Sequence, residues 1–303
     1  MQHLHAFVTL CAWVLYIAPL AAQETNAAET LSMRDGDRVV FLGNTFFERA
    51  LDYGHLETSL TLRWPDKKIT FRNLGWDGDT VYGHSRAGGR RHQLFGDAEE
   101  GFQRMMKHLN SEKPSVVFVA YGFNESFDGI QGLASFQKGL NRLLDRLENL
   151  SRQIVLITPP AVVVHDNSLN LMLGRYAEIL LETGRSRGHL VVDLFGDEAL
   201  NAPAYRENGL HLSAAGYQKV AEIWVQKLKL PPVRIDLNNS RADKVRQAII
   251  KKNTLYFHRW RPRNDAFVFG ERRDEQKIAQ KEPLQFEPYI EQQEQRIRKF
   301  LKP

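Results

Sequence analysis

A chain of 303 residues can bury one sizeable core and still carry an additional segment. With 43% hydrophobic, 25% charged and 10% aromatic residues it reads as an ordinary globular protein, which excludes a collagen, a coiled coil and wholesale disorder. The net charge of +5, from 41 Lys and Arg against 36 Asp and Glu, is spread over both signs. No zinc-finger or RNP-type signature accompanies it, so nucleic acid is not an expected partner, and a solvated basic surface or contact with an anionic polysaccharide accounts for the excess.

Taken in chain order, the first feature is an apolar run over residues 6–22 that ends in small residues and contains Pro19. It is short for a membrane span, which needs about 20 residues, and suits a signal peptide over 1–22, cleaved near Ala22. The expectation is a secreted or periplasmic protein with no stable membrane span once the signal is removed. Cys11 is the only cysteine and lies inside this run, so a mature chain has no disulfide, no thiol nucleophile and no thiolate metal site.

From 38 to about 230, short β-branched apolar runs alternate with longer amphipathic stretches. Strands are expected over 38–42, 68–73, 115–120, 154–158 and 190–194. Several are apolar on both faces, as in Val116-Val117-Phe118-Val119, the pattern of a strand covered by helices on both sides. Helices are expected over 46–63, 97–109, 133–149, 169–186 and 213–228. Repeated strand–helix units imply a parallel α/β sheet with right-handed crossovers. Pro231-Pro232 closes a domain over 32–230, and 231–303 reads as a helical, basic C-terminal extension with an irregular centre near 258–273 and a solvated helix over 287–301.

Ligands of open parallel sheets bind beyond the carboxyl ends of the strands, so the polar residues there matter most. They are Gly43-Asn44-Thr45 after the first strand, Asn73-Leu74-Gly75-Trp76-Asp77-Gly78-Asp79-Thr80 after the second, Gly122-Phe123-Asn124-Glu125 after the third, and Asn208-Gly209-Leu210-His211 before the last helix of the domain. A hydroxyl, an imidazole, an amide side chain and glycine N–H groups at one sheet edge are the parts acyl transfer needs. Each residue also has a plainer role open to it. Thr45 could cap the following helix, His211 could be a core histidine and Asn124 could close its loop.

These four segments resemble the sequence blocks of the SGNH (GDSL) hydrolase superfamily over roughly 38–228. The resemblance implies a flavodoxin-like, doubly wound five-stranded parallel sheet of order 2-1-3-4-5 and a metal-free, cofactor-free site. It makes Thr45 the nucleophile, His211 the base with Asn208 orienting it, Gly78 and Asn124 the oxyanion donors, and Asn44 a substrate-binding neighbour. The departures are Thr45 for the family's Ser, Asn44 for the Asp before it, Glu125 for the Asp of the third block and Asn208 for the Asp that orients the base. The methyl of Thr45 crowds attack and restricts χ1, and an Asp-to-Asn change in a serine triad lowers turnover by about 10⁴. Glu207 and Asp193 are the other carboxylates within reach in sequence.

Two readings therefore stay open. One is an exported esterase acting on acetylated carbohydrate or on lipid-type acyl esters of the lysophospholipase kind, slowed by its substitutions. The other is a pseudoenzyme that binds anionic polysaccharide. Two basic clusters bear on the second: Arg86-Ala87-Gly88-Gly89-Arg90-Arg91-His92, and Arg259-Trp260-Arg261 in the extension, flanked by Phe257, Arg263 and Asn264. Arg259, Trp260 and Arg261 could hold a carboxylated or sulfated sugar through paired charge and an aromatic face. Alternatively Phe257 and Trp260 staple the extension to the main domain while the arginines face water.

Overall fold

A computed structural model of the chain describes residues 30–87, 98–164, 167–233, 240–262, 265–268 and 272–302. The expected signal peptide over 1–22, the 88–92 part of the first basic cluster, and Arg263 and Asn264 lie outside them. Five strands form one sheet: β1 (Arg38–Gly43), β2 (Thr70–Gly75), β3 (Val116–Ala120), β4 (Gln153–Ile157) and β5 (Leu190–Val192). Their order is β2-β1-β3-β4-β5 and every pairing is parallel, with Val39 opposite Phe71 on one side and Val116 on the other. This is the doubly wound α/β arrangement that the alternating pattern implied.

Period-two alternation divides the strand side chains between two cores. Val39, Phe41, Val116, Phe118, Val155 and Ile157 face one, against α1 (Thr45–Tyr53), α2 (His55–Thr61) and α6 (Ala214–Lys227). Val40, Leu42, Val117, Val119, Ile154 and Leu156 face the other, against α3 (Ala98–Glu112), α4 (Gly129–Glu148) and α5 (Ser168–Arg187). Trp224 of α6 stacks on Phe118 at 4.8 Å and so seals the first core under the middle of the sheet.

The single helix expected over 46–63 is in fact two. Gly54 adopts φ +66° between α1 and α2, and its amide closes the first helix onto the Ala50 carbonyl at 3.1 Å. A left-handed glycine of this kind ends a helix cheaply. A Cβ there would also stand 2.9 Å from Ile250 of the extension, so the break leaves room for another helix to pass.

That helix is α7 (Ser240–Trp260), followed by the short α8 (Asp265–Val268) and by α9 (Glu287–Leu301). The helical run continues to Trp260, past the point where an irregular centre was expected to begin. Arg241 donates to the Lys302 carbonyl at one end of the pair and Arg259 meets Glu287 at 2.6 Å at the other, so α7 and α9 run antiparallel. Ala242, Val245, Ile249, Ile297 and Leu301 close around Leu62 at the end of α2. Further along α7, Lys252 pairs with Glu57 and donates to the Phe71 carbonyl at 3.2 Å, while Asn253 donates to the same carboxylate at 3.0 Å. Tyr256 donates to Glu112 at 2.8 Å, and Arg72 of β2 reaches Glu294 of α9 at 2.6 Å. Among the described residues no helix is long and apolar enough to cross a membrane.

Candidate active site

The carboxyl end of β1 turns sharply into α1. A Cβ on Gly43 would lie 2.4 Å from the Ala120 carbonyl oxygen, so only glycine lets β1 and β3 close up at this point. Asn44 then caps α1, its Oδ1 accepting from the Phe46 amide at 3.1 Å, and is only 2% exposed. Thr45 is the first residue of α1 and is half-buried, with its hydroxyl directed across to the loop after β2. There it donates to Asp77 Oδ1, and the Gly78 amide approaches Thr45 Oγ1 at 3.4 Å. Gly78 adopts φ +71°, a conformation that costs glycine little and that directs its N–H at the hydroxyl.

Asn124 Nδ2 donates to the Asp79 carbonyl at 2.7 Å, placing the amide side chain against the peptide that follows Gly78. The loop that carries it is held from beneath by Glu125, whose two oxygens accept the Val81 and Gly122 amides at 2.9 and 2.8 Å. Burial pushes the Glu125 carboxyl up to about 7, against the opposing pull of those amides. Asp79 is fully buried beside it, paired with Arg86 at 2.6 Å and accepting from Tyr121 at 3.0 Å. Arg86 therefore belongs to the core under the loop, while Arg90, Arg91 and His92 lie outside the described residues.

His211 is half-buried in the loop that leads into α6. It lines a hollow together with Asn44, Thr45, Phe46, Phe123 and Tyr217. Burial lowers its pKa, Arg49 lowers it further, and the carboxylates of Asp77 and Glu207 oppose them. The net effect favours the neutral imidazole. Asn208 does not orient the ring: its Oδ1 accepts the Leu210 and His211 backbone amides at 3.2 and 3.0 Å, an Asx turn that shapes the loop. No hydrogen bond reaches either ring nitrogen of His211 among the described residues. Glu207 is held by Arg49 and Tyr53, and Asp193 accepts from Thr158 at 2.9 Å and the Gly196 amide at 3.1 Å, so neither carboxylate supplies the missing partner.

The region of the chain from Glu48 to Lys219 matches the family model described as GDSL-like lipase/acylhydrolase. The chain belongs to this family. The match begins three residues after Thr45, so the Gly43-Asn44-Thr45 turn precedes the matched span. Among solved structures, the fold resembles the acetylxylan esterase Axe2 from Geobacillus stearothermophilus, with a TM-score of 0.52 and 17% identity over 68% of this chain and 100% of that one. It also resembles LAE5, an alpha/beta hydrolase enzyme from the metagenome of Lake Arreo in Spain, with a TM-score of 0.52 and 17% identity over 65% and 97% of the two chains. At these identities the likeness is one of fold. No curated protein sequence matches the chain.

The extension reaches the site of this GDSL-like chain by a route that its sequence did not reveal. Thr45 and His211 also line an adjoining hollow with Glu48, Asp77, Thr254, Phe257 and His258. Glu48 accepts the Asp77 amide on one side and pairs with Arg261 at 2.5 Å on the other. Arg261 lies 4.1 Å above the Trp76 ring, and Trp260 meets Trp76 edge-on at 5.5 Å. Trp260 is 3% exposed, so its ring offers no face to a sugar, and Arg259 is spent on Glu287. Trp260 is thus the expected staple, but Arg259 and Arg261 are ion-paired instead of facing water. Asp77 and Glu48 were visible only as members of their segments. The signal that could have singled them out is an acidic side chain immediately before the Gly78 amide, with another one helical turn beyond Thr45.

Proposed function

We propose that the protein is a carboxylic ester hydrolase that removes acetyl or other short acyl groups, with acetylated carbohydrate as its substrate class and lipid-type acyl esters as the runner-up. The observation that carries the reading is the shared hollow: Thr45 and His211, 166 positions apart in sequence, line one cavity while the Gly78 amide points at the Thr45 hydroxyl. In this reading Thr45 is the nucleophile, and the Gly78 amide with the Asn124 side chain collects the charge that develops on the carbonyl oxygen. His211, whose pKa burial and Arg49 lower, is the base within reach of the hollow. The apolar walls from Phe46 and Phe123 suit a small acyl group, while the polar hollow beside them, with Asp77, Thr254 and His258, suits a hydroxylated leaving group.

Export to the periplasm or the medium is part of the reading and is supported by the N-terminal apolar run. N-terminal sequencing of protein recovered outside the cytoplasm would find a start near residue 23. The non-catalytic alternative needs Arg259, Trp260 and Arg261 as a glycan-binding face, and their pairing and burial weigh against it. The deciding assay is hydrolysis of aryl acetates and acetylated oligosaccharides by the purified protein. Release of acetate that is abolished in Thr45→Val and His211→Ala supports the proposal. Release equal in the parent and in both variants would leave the hollow without a catalytic role.

A further inference from the structure

We infer that Asp77 is a catalytic residue and that its carboxylate, not the His211 imidazole, takes the proton of Thr45 when Thr45 attacks an ester. This deepens the esterase reading and rests on Thr45 being the nucleophile. The Thr45 hydroxyl donates directly to Asp77 Oδ1, while no ring nitrogen of His211 is hydrogen-bonded among the described residues. Asp77 stands beside the amide that would steady the oxyanion, since Gly78 N–H is the next donor along the backbone and points at the same hydroxyl. The carboxylate is exposed to the hollow and is therefore open to substrate.

Asp77 is also aimed from behind. Its own amide donates to Glu48, Glu48 is paired with Arg261, and Arg261 is laid over the Trp76 ring. The loop is thereby fixed between the body of the sheet and the extension, so the carboxylate meets the hydroxyl without reorganisation. Arg261 and Glu48 touch no reacting atom and are positioning residues.

The Thr45 O–H bond breaks as Oγ1 bonds to the acyl carbon. The proton passes to Asp77, and the carbonyl electron pair moves onto its oxygen beside the Gly78 amide. Collapse breaks the bond to the alcohol, and the leaving alkoxide takes the proton from Asp77. In the second half a water oxygen bonds to the acyl carbon while its proton passes to His211. Thr45 then leaves the acyl carbon and recovers its proton from the imidazolium. Two proton acceptors thus serve two half-reactions across one hollow.

The division of labour is tested by mixing the full chain, Asp77→Asn and His211→Ala with p-nitrophenyl acetate and following intact mass and the peptide that carries Thr45. The expected result is steady turnover in the parent, a stalled acetyl adduct on Thr45 in His211→Ala, and no adduct in Asp77→Asn. Asp77 is exposed and Asn is isosteric with it, and matching thermal melts would establish that the variant is folded. Turnover by the parent together with an adduct in Asp77→Asn, or with none in His211→Ala, overturns the assignment while leaving the esterase reading intact. A parent that forms no adduct and releases no p-nitrophenol removes both.

Discussion

Thr45 differs from a serine by one methyl, which crowds attack by the hydroxyl and restricts χ1. The hydroxyl already has its acceptor in Asp77 and its neighbouring donor in the Gly78 amide, and a serine would keep both. Thr45→Ser should therefore raise kcat/KM on aryl acetates roughly tenfold, a barrier change of about 1.4 kcal/mol. Asn208→Asp alone should change it by less than about twofold, because the oxygen at this position is committed to the amides of Leu210 and His211. A large gain from Asn208→Asp would mean that the loop turns to bring the carboxylate onto the ring. The block around Asn208 was readable from its spacing. What the side chain binds was not, since an Asx turn and an imidazole partner require the same residue type at the same place.

Glu125 makes the stability of the fold depend on pH. Its carboxyl lies near 7 in the folded chain, because it is wholly buried and close to Asp79, and near 4.5 when exposed. Between those values an unfolded chain gives up the proton while the folded one retains it, so stability falls as pH rises through the window. The slope is about 1.4 kcal/mol per pH unit, or about 3 kcal/mol in all. Glu125→Gln has no such titration. The stability of the parent minus that of Glu125→Gln, from urea melts at fixed pH, should therefore shrink by about that amount from pH 4.5 to pH 7. A difference that stays level across the window would place the Glu125 carboxyl in its ordinary range.

At the scale of elements, the strands were legible because residues buried on both faces leave no polar alternation, and the resemblance supplied their order. The break at Gly54 was not legible. Glycine inside an amphipathic stretch is tolerated often enough that only the passage of α7, with Ile250 against it, decides the matter. The aromatic and arginine run at the end of α7 misled for a related reason. Arg–Trp composition is shared by a sugar-binding face and by a cation stacked on a buried ring, and Trp76, which selects between them, is almost 200 positions away. In the proposed mechanism the stacked Arg261, just past the end of α7, aids catalysis through Glu48 and Asp77. Arg261→Ala should lower kcat several-fold with KM nearly unchanged, and Arg261→Lys should restore part of the loss by keeping the ion pair with Glu48. Equal rises in KM in both variants would instead assign Arg261 to substrate binding.

At the scale of the whole molecule, the boundary at Pro231-Pro232 divides the chain in sequence more than in energy. The family match ends before it, yet the buried groups of the esterase-like body find their partners beyond it. Glu57 is 4% exposed, and its two bonded partners, Lys252 and Asn253, both come from α7. Trp76 packs against Trp260, and Glu112 accepts from Tyr256. Breaking a buried ion pair from one side costs about 3–5 kcal/mol, of the order of a domain's whole stability. Lys252→Met should approach that cost in urea denaturation, and Glu57→Gln added to it should recover a good part by removing the stranded charge. A chain cut after Leu230 loses Lys252 together with every other contact of α7 and α9 and exposes Leu62, Trp76 and Phe71 to water. It should unfold without a single cooperative transition and bind a hydrophobic dye at neutral pH. If the cut chain instead melts in one step near the parent's Tm but lacks the esterase activity proposed for the parent, the extension is a separable part whose contribution is confined to aiming Asp77.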